Sequence, residues 1–502
     1  MKAPYFLLIL CLFLSTNSFA KKPNILFFLV DDMGIFDTSV PFHYKDGKPV
    51  INKLNKVYRT PNMEKLADQG RIFSKAYSYS VCSPTRVTLI TGQAAPRHKV
   101  TTWTHPKNSK ANIGYIKTDT IQSPNWRKEG LDLSLPLLPR LLQKNGYRTL
   151  FAGKAHFGAD DTPMGNPLNC GFDINIAGYG GGGPGAYHGQ KNYSAAWRGG
   201  GHDWDIPGLE KYHGTDTFLS EAITLEMNAE IEKTVKMKKP FFSYMSHYAV
   251  HVPFETDQRF AANYPQLKGG QLAFATLVEG MDKSLGDMVA KLEELKVAED
   301  TLIIFFSDNG SASPMWSAPL RDKKGSRFEG GSRVPMMVSW AKLNPKNPLQ
   351  RKYRIPKASR EDRLVNCEDI FPTILALGRT KVPKEAVIDG YDIRHYIVGS
   401  KKNVRPEEFL VHFPHAHQNR LYSTYVLGDK KIIYNYGNES WEYYDIKKDL
   451  GERQNLVKTH TESALKMAKR MIAKLDSQKA SYPTDLKTGK AVKPNLKKLY
   501  QE

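Results

Sequence analysis

The sequence predicts an α/β sandwich with a large, mostly parallel sheet between helices. A smaller C-terminal subdomain with an antiparallel sheet and a helix is expected to follow. Three observations carry this expectation. Residues 24–30 (NILFFLV) and 301–307 (TLIIFFS) are unbroken apolar runs, the pattern of strands covered on both faces. Segments of helical period alternate with such runs at 62–70, 135–146, 216–236 and 271–295. Near Gly399-Ser400-Lys401-Lys402 the composition shifts, and short strand-like runs separated by tight turns follow. A chain of 502 residues exceeds what one core usually supports, so a main domain over 21–400 and a subdomain over 401–502 are expected.

The elements follow in order. Residues 1–20 have the form of a secretory leader, with Lys2 near the start, an apolar run over 5–14 and small residues at Ser18 and Ala20. That run is too short to span a bilayer, and no second one reaches the length. An exported protein, periplasmic or extracellular, without a membrane span is therefore expected. The first strand, 24–30, runs into Asp31-Asp32-Met33-Gly34. The helical segment 62–70 ends on a glycine, a common stop. The leucine-rich helix 135–146 precedes a strand at 148–153, which runs into Lys154-Ala155-His156. A glycine-rich stretch, 175–208, contains four consecutive glycines at 180–183; loops of this length are functional or unstructured. After the helix at 216–236, a strand at 241–246 leads to His247 and His251. The helix at 271–295 and the strand at 301–307 lead to Asp308-Asn309-Gly310, with a further strand over 334–340. In the subdomain, strands are expected at 420–426, 430–436 and 441–444, a basic amphipathic helix at 462–479 and a loose lysine-rich tail at 487–498.

The formal net charge of +21 suits either general solubility and adhesion or attraction of a polyanionic substrate. It does not indicate nucleic acid, because the basic residues are spread along the chain and no nucleic-acid module is present. Only Cys82, Cys170 and Cys367 follow the leader; Cys170 and Cys367 either pair or remain two buried thiols.

One stretch, 80–92 (SVCSPTRVTLITG), stands apart. Proline suits the first turn of a helix and glycine its close, so Ser83 is expected as N-cap, Pro84 as the first helical residue and Gly92 just past the end. Cys82 then sits just outside a helix N-terminus, where free N–H groups and the helix dipole favour an anion. Arg86, four residues on, can reach back toward it. By itself the segment also admits an ordinary buried thiol. Ligands of open α/β sheets bind beyond the carboxyl ends of the strands, and four strand ends carry Asp31-Asp32, Lys154/His156, His247/His251 and Asp308-Asn309. Asp31, Asp32, Asp308 and Asn309 offer only oxygen donors, which suits a hard cation such as calcium or magnesium, although Asp and Asn are also favoured in turns.

The order of these motifs resembles that of the cysteine-type, formylglycine-dependent sulfatases, including bacterial enzymes acting on polysaccharides and glycosaminoglycans. The resemblance rests on Asp31-Asp32, the Cys-x-Pro-x-Arg signature with Leu89-Ile90-Thr91-Gly92, Gly153-Lys154-Ala155-His156, His251-Val252-Pro253, Asp308-Asn309-Gly310, and Lys324 ahead of Glu329-Gly330-Gly331-Ser332-Arg333-Val334-Pro335. It continues weakly through Asp389-Gly390 and the segment from Trp441 to Leu456. It implies the alkaline-phosphatase-like fold and a Cys82 oxidised to formylglycine (3-oxoalanine) by a maturation enzyme. It further implies calcium, with magnesium a poorer fit, held by Asp31, Asp32, Asp308, Asn309 and the modified Cys82. Arg86 would hold the modified residue, Lys154 and Lys324 would bind sulfate, His156 would assist sulfate release and His251 would protonate the leaving oxygen. Lys323, next to Lys324, is distinguished from it only by alignment to the glycine pair. His98 and His415 are candidates for sugar recognition, with His412 and His417 beside the latter. His247 either contacts substrate or is structural.

The reaction so implied is hydrolysis of O-sulfate esters on a carbohydrate. Alternatives are a phosphate mono- or diesterase of the same fold, and a catalytically silent binder of sulfated glycans in which Cys82 stays a thiol.

Overall fold

The computed structural model describes residues 21–105, 117–313, 315, 318–416 and 420–500; the leader and His417 lie outside this set. Eight strands form the central sheet: β1 (Asn24–Val30), β2 (Arg71–Phe73), β3 (Arg148–Gly153), β4 (Ile174–Ile176), β5 (Phe241–Ser246), β6 (Thr301–Ser307), β7 (Met336–Trp340) and β8 (Ser359–Glu361). Their spatial order is β8-β2-β7-β6-β1-β5-β3-β4. Only β7 runs antiparallel to its neighbours; the other pairings are parallel.

Strand β1 explains why the apolar runs are continuous. Ile25, Phe27 and Leu29 enter one core, shared with α2 (Cys82–Thr91), α3 (Leu138–Lys144) and α6 (Ile370–Leu377). Leu26, Phe28 and Val30 enter the opposite core, shared with α1 (Pro61–Gln69), α4 (Leu219–Lys236) and α5 (Gly269–Glu294). Both faces are therefore covered, and a polar residue on either would lose its water.

The register fixes the functional edge. Val30 lies opposite Ser307, Leu29 opposite Ser246, and Gly153 opposite Ser246. Four adjacent parallel strands thus end at one level, and the segments that follow them are bonded together there. The Asp308 N–H donates to the Val30 carbonyl, Lys154 N–H to Ser246, and His247 N–H to Leu29.

The C-terminal strands β9 (Glu408–Phe413), β10 (Tyr422–Leu427), β11 (Lys430–Asn435) and β12 (Ser440–Asp445) form an antiparallel meander. Its face carrying Ile432, Tyr434 and Trp441 packs on Met467, Ala468, Met471 and Leu475 of α7 (Thr461–Ser477). The lysine-rich end is docked rather than loose. Leu499 is buried, and the Trp441 indole N–H donates to the Asn495 carbonyl at 2.9 Å. Charge alone concealed this, because isolated apolar residues among lysines provide the anchor. Cys170 and Cys367 are both free and buried, so they do not pair.

Candidate active site

Helix α2 begins two residues before the expected start. Its N-cap is Val81, in extended conformation, and Cys82 is the first helical residue. The Ser83 hydroxyl does not cap the helix; it accepts the Thr104 N–H at 3.1 Å and ties α2 to the neighbouring loop. The expected end holds, with Gly92 in the left-handed region at φ 71°.

Cys82 is buried, with Sγ 3.6 Å from Asp31 Oδ1 and 3.8 Å from Asp32 Oδ1. Arg86 lies one turn on, and its guanidinium ties three strand ends together. Nε donates to Asp308 Oδ2 at 2.7 Å, and Nη1 donates to the Lys154 carbonyl at 2.7 Å and to Ser246 Oγ at 2.8 Å. Lys154 Nζ donates to Asp31 Oδ2 at 2.7 Å, and Lys324 Nζ lies 2.7 Å from Asp32 Oδ1. Asn309 Nδ2 donates to Asp32 Oδ1 at 2.8 Å. Lys323 is exposed, so geometry separates it from Lys324.

The electrostatics follow from three carboxylates and three cations gathered in a buried space. Burial and the adjacent Asp308 push the Asp31 carboxyl well above the usual range. Burial works in the same sense on Asp32, but Lys324 and His251 outweigh it and hold that carboxyl low. Asp308 is likewise held low by Arg86 and Lys154 against its burial. Burial pushes the Cys82 thiol up to about 12 although Lys154 and Lys324 oppose it. Burial thus favours the protonated thiol at Cys82, unlike the thiolate of a nucleophilic cysteine.

Asp31, Asp32, Cys82 and Asp308 each offer a ligand atom, all within 4.8 Å of one another. Every donor but the sulfur is a carboxylate oxygen. The buried Asn309 Oδ1 has no hydrogen-bond partner in this structure. This donor set fits a hard divalent cation.

Two histidines flank the cluster. His251 Nδ1–H donates to the Val252 carbonyl at 2.7 Å, which leaves Nε2 as the unprotonated nitrogen, 3.7 Å from Asp32 Oδ2. Burial and then Lys324 lower this ring to about 3. His156 adopts φ 52°, and its Nε2–H donates to the Thr104 carbonyl at 3.1 Å, leaving a buried Nδ1 without a partner. The glycine run rests against both rings. A Cβ on Gly182 would fall 3.1 Å from His156 Cε1, and one on Gly183 would fall 2.7 Å from His251 Nδ1.

Three histidines expected near substrate are placed elsewhere. His98 uses both ring nitrogens, on Thr88 Oγ1 and the Val100 N–H. His247 packs on Phe28 at 4.9 Å between centroids and bonds Ser284 of α5 at 3.0 Å. His415 bonds Thr101 Oγ1 at 2.7 Å and packs against Trp126 and Phe413. For His247 and His415 the partner is distant in sequence, whereas His98 is taken up by its own neighbourhood. Conversely, Ser246, which accepts from Arg86 and donates to the Lys154 carbonyl at 2.6 Å, gave no sign in the sequence beyond closing an apolar strand.

The sequence profile described as Sulfatase matches residues 23–379, and one described as N-sulphoglucosamine sulphohydrolase, C-terminal, matches residues 322–481. Among curated proteins, the chain is 26% identical to a sulfatase of Formosa agariphila, covering 91% of this chain and 88% of that one. It is 27% identical to the N-acetylgalactosamine-6-sulfatase of Canis lupus familiaris, covering 88% and 78%. Among solved structures, that of Ps i-CgsB superposes with a TM-score of 0.72 at 25% identity, covering 92% of this chain and 94% of that one. A profile match over most of the chain, on a sheet whose in-register ends gather the motif residues, places this protein in the sulfatase family of sulfuric ester hydrolases, with the alkaline-phosphatase-like fold.

Proposed function

We propose that this exported protein hydrolyses O-sulfate esters on a carbohydrate, using formylglycine produced from Cys82 by a maturation enzyme. The observation that carries this is the placement of Cys82: buried at the start of α2 among three carboxylates and three cations. As a thiol it is a poor nucleophile, whereas an oxygen at the same place would face both metal ligands and anion-binding groups. The carbohydrate class is supported by the likeness to an N-acetylgalactosamine-6-sulfatase. Residues 1–20 serve as the export leader, and no helix among the described residues is long and apolar enough to cross a membrane.

A hydrated aldehyde at position 82 would supply two oxygens on one carbon, so that one difficult displacement could be divided into attack on sulfur and release of sulfate by elimination. Asp31, Asp32, Asp308 and Asn309, together with residue 82, would hold calcium, which polarises the sulfate and favours an ionised oxygen. Arg86 fixes Asp308 and, through the Lys154 carbonyl and Ser246, the relative position of three strand ends. Asp308 draws the proton from the attacking oxygen. Lys154 and Lys324 bind the sulfate oxygens and offset charge as it moves. His251 would give a proton to the leaving alcohol oxygen from Nε2 once the ring is charged, since Nδ1 is committed to Val252. An anionic sulfate beside His251 opposes the effect of Lys324 and favours the charged ring. His156, with Nε2 committed to Thr104, offers Nδ1 as the base for sulfate release.

A phosphate esterase of the same fold is disfavoured by a cysteine at the nucleophile position and by a metal set dominated by carboxylate oxygens. Mass spectrometry of the peptide containing Cys82 gives the direct test. Formylglycine replaces sulfur by oxygen and loses two hydrogens, and the Cys82→Ser variant should release sulfate at least about a hundredfold more slowly. An unmodified thiol in fully active protein, or a fully active Cys82→Ser variant, would refute the reading.

A further inference from the structure

The glycine-rich loop beside the two flanking histidines carries two exposed tryptophans: Trp197 is 48% exposed and Trp204 36% exposed. Both are tied to one residue. The Gly185 N–H donates to the Trp204 carbonyl at 2.7 Å, and the Trp197 indole N–H donates to the Gly185 carbonyl at 3.2 Å. Gly185 stands two residues from Gly183, the glycine against His251. At about 3.6 Å per residue, plus a carbonyl and a hydrogen bond, the Trp197 indole nitrogen lies within about 13 Å of Gly183. One face of Trp197 is already covered, by Lys191 Nζ at 3.8 Å from the ring centroid, and Lys191 is held in turn by Glu255. The ring is thus supported on one side while half its surface stays in water.

The short turn that carries Trp204 also supplies His202, with Asp205 after it, to a cleft of about 380 Å³, within the usual size of ligand sites, lined further by Asp160, Asn175 and Tyr179 among others. The Tyr179 hydroxyl donates to the Gly183 carbonyl at 3.1 Å, so the cleft and the histidine-facing turn share a wall. Single exposed apolar residues are ordinary. Two tryptophans clamped to the turn beside His251, one of them on the short turn whose His202 lines a cleft of carboxylates, amides and a phenol, form a more specific combination.

We propose that Trp197, Trp204 and this cleft form a carbohydrate subsite, holding sugar residues beyond the one that bears the scissile sulfate. The inference rests on the carbohydrate reading above. A pyranose ring has an apolar C–H face that can cover an exposed indole, and hydroxyls that suit carboxylate and amide partners. The substrate is then an oligosaccharide, not an isolated sulfated monosaccharide.

The test compares di- and hexasaccharides of κ-carrageenan and of 6-sulfated chondroitin, with 4-nitrophenyl sulfate as a substrate too short to reach the loop. On the series that is cleaved, the intact protein should prefer the hexasaccharide by about tenfold or more in kcat/KM. Trp204→Ala leaves the backbone carbonyl that receives Gly185, and should reduce that preference to roughly twofold, through KM, with 4-nitrophenyl sulfate turnover within about twofold of the parent. Trp197→Phe should retain the preference better than Trp197→Ala. An unchanged length preference in both alanine variants overturns the subsite, as does an equal loss on 4-nitrophenyl sulfate. If the intact protein releases sulfate from 4-nitrophenyl sulfate and from neither saccharide series, the carbohydrate reading fails and the subsite falls with it. Saccharide cleavage without length preference removes the subsite alone.

Discussion

Lys324 and Lys323 are adjacent, yet only one faces the pocket. Lys324 Nζ sits on Asp32, while Lys323 is exposed. Lys324→Ala should therefore lower kcat/KM by about a hundredfold or more, the scale of losing one fixed group that stabilises transition-state charge. Lys323→Ala should leave kcat/KM within roughly twofold, and steady-state kinetics on 4-nitrophenyl sulfate would separate them. Glu368 makes a different prediction. Its buried carboxylate accepts the Tyr79 hydroxyl, and burial, followed by Asp389, raises it from the ordinary 4.5 to about 7. Between those values the folded protein keeps a proton that the unfolded chain releases. This group's contribution to stability therefore falls as pH rises through that window, by up to about 1.4 kcal/mol per pH unit, and levels off above about 7. Glu368→Gln keeps an acceptor for Tyr79 and should flatten that part of a thermal-midpoint profile. Residue types were legible in the sequence wherever the chemistry demanded them, as with the acids and lysines at strand ends. His247 and His415 were not, since whether a histidine meets substrate or a buried hydroxyl depends on partners, such as Ser284, remote in the chain.

At the level of elements, the pocket depends on four strands stopping together. Gly153 closes β3 at φ 92°, and a Cβ there would fall 1.8 Å from the Ser246 carbonyl oxygen. Gly153→Ala must push β3 away from β5 just where Lys154 and Ser246 are held by Arg86. It should cost about 2 kcal/mol or more in stability, through combined strain and overlap, and lower kcat as well. Chemical denaturation and turnover measured on one preparation would check both. The strands at 24–30, 148–153, 241–246 and 301–307 match their sequence boundaries because burial on both faces makes their interiors mostly apolar. Strands β2, β4 and β8 escaped notice: each has three residues and polar members such as Arg71, Asn175 and Arg360, and pairing with neighbours rather than local pattern makes them strands. The start of α2 was displaced because Ser83 is spent on Thr104.

Across the whole molecule, the C-terminal meander holds part of the pocket. Arg420 Nη1 donates to the Lys324 carbonyl at 3.0 Å, and the Tyr422 hydroxyl donates to the Gly325 carbonyl at 3.1 Å and lies 2.7 Å from Ser80 Oγ. Deeper in, Lys431 of β11 lies 3.1 Å from Glu329 and 3.0 Å from Glu452, all three buried. Lys431→Met would leave Glu452 without its cation and facing Glu329, which would keep only Arg333 at 3.4 Å. A loss of about 3 kcal/mol or more is expected, together with lower activity below the melting point, because Glu329 lies five residues beyond Lys324 in the chain. Calorimetry and initial rates would register the two effects.

Cys82 has none of its surface in contact with water, and Asp31, Asp32 and Arg86 close around it. No second protein could grip that side chain once the sheet and its helices have assembled. Any enzymatic conversion of this position is therefore a race against folding, run while the segment is still an open strand of polypeptide. On the proposed mechanism, a molecule that wins its shape too early would keep its sulfur for life, correctly built and idle.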